Sequence, residues 1–234
     1  MPIHTVFLDA GGILVHPNWS RVSETLERHG VLVTAKALAA AEPRAKQRLD
    51  CGETIEATND EQRGWTYFDL VLTEAGVPLT TSTAAALLEL NAYHRQFNLW
   101  ETVPDDVVPA LTALRARGLR LVVVSNANGT LLRLFTRLGL AASFDVVFDS
   151  HVVGIEKPDP RFFQHALEKS GALPETTVHV GDLFHVDVVG ARSAGIAAIL
   201  LDAGGLYADY DCQRVRTIGE VVDLIASSPL APSP

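Results

Sequence analysis

Hydrophobic positions follow three regimes along the chain. Val6-Phe7-Leu8 is a short continuous run of β-formers that stops on Asp9 and on Gly11-Gly12, the pattern of a buried strand running into a tight turn. From about Asn18 to Asn98 the apolar spacing is helical. Val22, Leu26 and His29 precede a Gly30 stop; Ala35 to Leu49 is Ala-rich with Pro43 inside; Trp65, Phe68, Leu72 and Ala75 share one face; Leu87, Leu88, Asn91 and Arg95 repeat at similar spacing. This predicts an insertion of about four helices with no strand, in which Trp65 and Phe68 belong to a helical core.

From Pro104 the regime changes again. Helical segments around Val107–Leu114, Leu131–Leu138, Pro160–Lys169, Val186–Ala194 and Glu220–Ile225 alternate with β-type runs at Leu121–Val124, Val146–Phe148, Val178–Val180, Ala198–Leu201 and Val215–Ile218. Such alternation predicts an α/β fold, a doubly wound, Rossmann-like parallel sheet with right-handed crossovers. The first strand joins that sheet, since the helical insertion offers it nothing to pair with. The expected organisation is a core from residues 1–15 and 101–226, an all-helical domain from 16–100, and a disordered Pro- and Ser-rich tail, 227–234.

Composition narrows the function classes. Apolar residues make up 47% of the 234, enough for a packed interior, and a net charge of −9 without a basic run argues against nucleic acid or an anionic membrane surface. Cys51 and Cys212 have no metal-type spacing and suit free thiols in a reducing compartment. The start lacks a basic segment followed by a long apolar run, so a soluble cytoplasmic protein acting on small molecules, monomer or homodimer, is expected.

The chemistry-bearing residues fall just beyond the strands. These are Asp9, Ser125-Asn126, Lys157 in Gly-Ile-Glu-Lys-Pro-Asp-Pro, and Asp182 in Gly181-Asp182 with Asp187 following. Parallel strands bring their carboxyl ends to one sheet edge, where open α/β sheets bind ligands. Singly, each residue has a structural explanation as a cap, a turn former or a solvated charge; together they converge on one crevice.

In this order and spacing the chain resembles the haloacid dehalogenase superfamily, in the branch with a helical cap inserted after the first motif. Asp9 matches its first motif, Ser125 the second, Lys157 before Pro158 the third, and Asp182 with Asp187 the fourth; Gly190-Ala191-Arg192-Ser193-Ala194-Gly195 matches the continuation usual in phosphatases. The resemblance implies that Asp9 is the nucleophile, forming an aspartyl-phosphate, and that Ser125, the Asn126 amide and Lys157 bind phosphate. It implies Mg2+ held by Asp9, the Gly11 carbonyl and Asp182, with Asp187 ordering a metal-bound water or Lys157. The substrate would be a small phosphorylated metabolite.

Position 11, a Gly here, departs from the phosphatases of this family, which carry the acid/base Asp there. Loss of such a group typically lowers turnover about a hundred- to ten-thousandfold. A weakened, phosphate-binding or regulatory protein is therefore the alternative expectation, with His16 and His185 the next candidates for proton transfer. Phosphonate-cleaving relatives also lack that Asp but need a cap lysine; Lys36 and Lys46 read as solvated surface. Dehalogenases lack it too, yet Asp182 argues against that branch.

Overall fold

The computed structural model describes residues 2–227. The chain divides into two compact units, Met1–His16 with Val103–Pro234, and Pro17–Thr102.

β1 (Thr5–Leu8) is buried at every position, as its unbroken apolar run requires. β2 (His16–Pro17) follows the Asp9 turn. The chain then forms α1 (Trp19–Arg28), α2 (Ala35–Leu49), α3 (Gly52–Ala57), α4 (Asp60–Glu74) and α5 (Thr81–Phe97), and β3 (Trp100–Thr102) pairs back on β2 as a two-stranded ribbon. Asn59 and Thr80 start α4 and α5 with capping boxes, each side chain accepting the backbone N–H three residues on. Two features depart from the expected four-helix pattern. α3 is too short to show a period, and the ribbon places strand geometry at the edges of the helical stretch.

The helical unit closes on its own core. Phe68 packs edge-on to Tyr67 and Trp100, with centroids 5.1 and 5.6 Å apart, over Leu38, Val71, Leu72 and Leu90. Phe68 is buried and Trp65 is packed against the same cluster, in line with their reading as core. Lys46 is not the solvated charge expected of it. Its side chain is 17% exposed and lies 2.8 Å from Glu42 Oε1, one helical turn back, because the Tyr67 hydroxyl already draws that carboxylate inward at 2.9 Å.

The other unit is the α/β layer structure. It runs α6 (Val107–Ala116), β4 (Arg120–Ser125), α7 (Leu131–Arg137), β5 (Val146–Asp149), α8 (Ser150–Val153), α9 (Pro160–Ser170), β6 (Thr177–Gly181), α10 (Val189–Ser193), β7 (Ala197–Leu201), β8 (Gln213–Val215) and α11 (Ile218–Ser227). The six strands are ordered β5-β4-β1-β6-β7-β8 with every pairing parallel. The sheet grows outward in both directions from the centre, so the strand order reverses between β1 and β6, and a crevice opens at their carboxyl ends. The last strand ends at Val215 rather than continuing to Ile218, which opens α11 instead. Ser227, assigned in sequence to a disordered tail, closes that helix; 228–234 lie outside the described residues. Among the described residues, no helix is long and apolar enough to cross a membrane.

Candidate functional site

Sheet register decides which side chains meet. Leu8 lies beside Val123 on one side and Val180 on the other, so Asp9 emerges between the ends of β4 and β6. Its backbone N–H donates to Val180 O at 2.9 Å. The turn beyond wraps around Ala10, whose carbonyl accepts from Leu14 and Val15 at 2.8 and 3.0 Å, while Gly12 supplies the left-handed residue with φ 74°. Gly11, whose φ is not in that region, bridges Val15, so His16 follows immediately after the return of the chain.

Ser125 ends β4, buried, and its Oγ accepts from the Ala10 N–H at 3.4 Å, tying the first two loops together. Asn126 uses its side chain differently from the backbone role expected of it. Nδ2 donates to Lys157 O at 3.0 Å, and Lys157 N donates to Asn126 Oδ1 at 2.7 Å, a reciprocal amide pair that pins the lysine loop to the end of β4. The loop after β4 is in turn held from β5 by Asp149, which accepts from Gly129 N and Leu131 N at 3.1 and 3.3 Å.

Lys157 therefore enters the site from a fixed backbone. Its Nζ is buried, 2.6 Å from Asp187 Oδ1 and 2.9 Å from Asp9 Oδ1. Burial works against the ammonium, but the carboxylates of Asp187 and Asp9 outweigh it and hold Lys157 above its ordinary range. Burial likewise opposes the Asp187 carboxylate, and Lys157 with His179 drives it well below the usual carboxyl range. Both groups are charged at any ordinary pH.

Asp187 is occupied on both oxygens. Oδ1 faces Lys157 and His179 Nε2 (3.0 Å), and Oδ2 accepts the backbone N–H groups of Asp182 and Leu183 at 3.1 and 3.0 Å. Gly181 makes this possible: a Cβ there would come 2.1 Å from Asp187 Cγ, so the Gly-Asp sequence is dictated by the carboxylate five residues after Asp182.

The structure thus brings Asp9, Ser125, Asn126, Lys157, Asp182 and Asp187 to one sheet edge. Carboxylate oxygens of Asp9, Asp182 and Asp187 lie within 4.8 Å of one another, and Asp9 Oδ1 is buried against Lys157 Nζ at 2.9 Å. A hard-oxygen donor set of this kind fits Mg2+. His185 stands edge-on to Phe184, 5.2 Å between centroids, three residues past Asp182. Sequence reasoning missed His179, although an imidazole inside the apolar run Val178-His179-Val180 was a visible signal.

A strand-end aspartate, a lysine held against it and an acidic pair just beyond the neighbouring strand share one edge of the sheet, the arrangement expected of an α/β hydrolase. Residues 3–195 match the family model described as haloacid dehalogenase-like hydrolase, and the chain belongs to that family. A glyceraldehyde 3-phosphate phosphatase of Methanothermobacter thermautotrophicus is 34% identical over 177 residues, 60% of this chain and 77% of its own. A Mycobacterium tuberculosis phosphatase is 29% identical over 232 residues, 95% of this chain and 98% of its own. Among solved structures, a Bacillus subtilis HAD-hydrolase bound to magnesium covers 96% of this chain and 99% of its own at 16% identity, with a TM-score of 0.72, a likeness of fold.

Proposed function

We propose that this hydrolase is a Mg2+-dependent phosphatase acting on a small phosphorylated metabolite through an aspartyl-phosphate on Asp9. The observation that carries the reading is the Asp9 carboxylate at the end of β1, whose Oδ1 lies 2.9 Å from the buried Lys157 Nζ while the side chain stays partly exposed. A carboxylate held at one oxygen by an ammonium keeps its other oxygen for nucleophilic attack.

An Asp9 oxygen forms the new bond to phosphorus as the ester oxygen leaves with the bonding pair. The Ser125 hydroxyl and the Asn126 N–H donate to the equatorial oxygens, and Lys157 offsets charge on nucleophile and phosphoryl group. Asp9, the Gly11 carbonyl and Asp182 would hold Mg2+, which would supply further positive charge against the phosphoryl oxygens. Asp187 fixes Lys157 and the Asp182 loop. Water then cleaves the acyl phosphate, restoring the Asp9 carboxylate and releasing phosphate. With Gly at position 11, the leaving oxygen draws its proton from water or a neighbouring group, and turnover is slow. The helical unit is read as the cap that selects the substrate, and the names of the phosphatase relatives support a small phosphate ester.

Gly11 also favours a second reading, a protein that binds a phosphorylated ligand and scarcely turns it over. A Mg2+-dependent screen over phosphate esters, with a phosphonate and a haloacid as controls and Asp9→Asn alongside, separates the two. Phosphate release from an ester by the wild type and none by Asp9→Asn is expected. Activity persisting in purified Asp9→Asn would overturn the nucleophile, and ester binding without release would favour the second reading.

A further inference from the structure

His179 has no part in that chemistry, yet it sits in the middle of β6 with no exposure at all, where an imidazole is costly unless something requires it. Its Nε2 is 3.0 Å from Asp187 Oδ1, the oxygen that also takes Lys157 Nζ at 2.6 Å. The ionised Asp187 carboxylate only accepts, so Nε2 carries the hydrogen and donates it. Burial keeps the ring neutral by pushing its pKa down. Nδ1 is then bare, which matches its lack of a hydrogen-bond partner. The ring plane is set by Phe163, edge to face with centroids 4.9 Å apart and planes at 78°.

Asp187 is the hub of the site, since one oxygen holds Lys157 and the other holds the Asp182–Leu183 backbone. With Oδ2 on two backbone N–H groups, the turn about the Cβ–Cγ bond is decided at Oδ1, where Lys157 reaches in on a long flexible side chain. The donor from His179 opposes that turn, and the close approach at Gly181 bounds it on the other side.

We propose that His179 is a positioning residue: by donating from Nε2 to Asp187 Oδ1 it sets the carboxylate plane that keeps Lys157 against Asp9 and the Asp182 loop in register. This rests on the phosphatase reading of the same site.

The test compares His179→Leu, which fills the volume without a donor, with His179→Gln, which keeps an N–H at similar reach. In the full chain with Mg2+, the Leu variant should lose about tenfold or more in kcat with KM within about twofold, and Gln should recover at least about a third of the wild-type rate. A packing role would instead lower the melting temperature of both variants and leave kcat of the folded protein unchanged. Wild-type turnover in the Leu variant, or equal losses in Leu and Gln with both folded, overturns the proposal. Nitrogen-15 NMR of histidine-labelled wild type gives a reading independent of turnover. The neutral tautomer with hydrogen on Nε2 is expected, and hydrogen on Nδ1 overturns the assignment. Should the wild type hydrolyse no ester, the phosphatase reading fails while the Mg2+-induced melting shift still decides the positioning role: a smaller shift in Leu than in Gln supports it, and equal shifts overturn it.

Discussion

Both units bury charge, but they do so in opposite ways. In the helical unit three buried or half-buried charges meet an opposite: Glu42 has Lys46 and the Tyr67 hydroxyl, Glu101 has Arg21 at 2.9 Å with Tyr93 and Asn18, and Arg63 donates to Thr58 O at 2.5 Å with Asp60 at 3.8 Å. In the α/β unit Asp9 and Asp187 share the ammonium of Lys157, and Asp182 brings a third carboxylate within 4.8 Å of theirs. A balanced set holds a fold together. An unbalanced set raises the free energy of the folded state until a cation arrives, and it persists where ligand or chemistry makes use of it.

Removing one cation from each region sharpens that contrast most. Lys157→Met leaves three carboxylates facing one another and should cost about 3–5 kcal/mol, the usual penalty for breaking a buried pair. Added Mg2+ should restore part of it by binding the folded state. Lys46→Met leaves Glu42 with the Tyr67 hydroxyl and some access to water, and should cost roughly 1–2 kcal/mol with no response to Mg2+. Denaturant unfolding of both variants, with and without Mg2+, checks this. Equal losses, or a Mg2+ response in Lys46→Met, would erase the distinction between the two regions.

The α/β unit was also the more legible in sequence, and for a physical reason. Buried parallel strands are continuous apolar runs, and the residue after each run must lie at one edge, so Asp9, Ser125, Lys157 and Asp182 were placed together before any contact was known. What stayed hidden was tertiary. Nothing in the spacing of Asn126 and Lys157 says that their amides exchange two hydrogen bonds, and nothing local says that Gly181 is empty so that Asp187 can fit. In the helical unit the long helices were visible by period. The partnership of Lys46 with Glu42 and Tyr67 was not, because an i,i+4 charge pair reads as exposed until a neighbouring helix covers it.

Position 11 offers the next test, since it asks whether the α/β site lacks only a proton carrier. The left-handed residue of the turn is Gly12, so an Asp at 11 meets no positive-φ penalty. Gly11→Asp should raise kcat about ten- to a hundredfold with little change in KM, because a general acid/base acts in the transition state. The measurement is steady-state phosphate release from an ester that the wild type hydrolyses. A variant that folds, shows the wild-type Mg2+ melting shift and gains nothing would mean that another group already moves the proton, and His16→Gln and His185→Gln would identify it by lost turnover.

The smallest effect concerns the helical unit's own half-buried histidine. His94 differs from His179 in its use of the ring: Nδ1 accepts the Leu99 backbone N–H at 3.1 Å, so the neutral form is the one the fold needs. Burial, with Arg95 adding repulsion, pushes its pKa down to about 4 from 6.5. A group whose folded pKa lies below its unfolded one binds more protons when unfolded, so stability rises with pH between the two values and is lost as pH falls through about 6.5 toward 4. From pH 7 to pH 5.5 the contribution of His94 should fall by about 1 kcal/mol. His179, also shifted down by burial, adds a slope of the same sign, whereas Asp187 keeps its stabilising charge until the pH drops below the ordinary carboxyl range. His94→Gln removes the titrating group and keeps a polar side chain. Its unfolding free energy should therefore vary less over this window than that of the wild type, and a slope equal to the wild type's would remove His94 from the account.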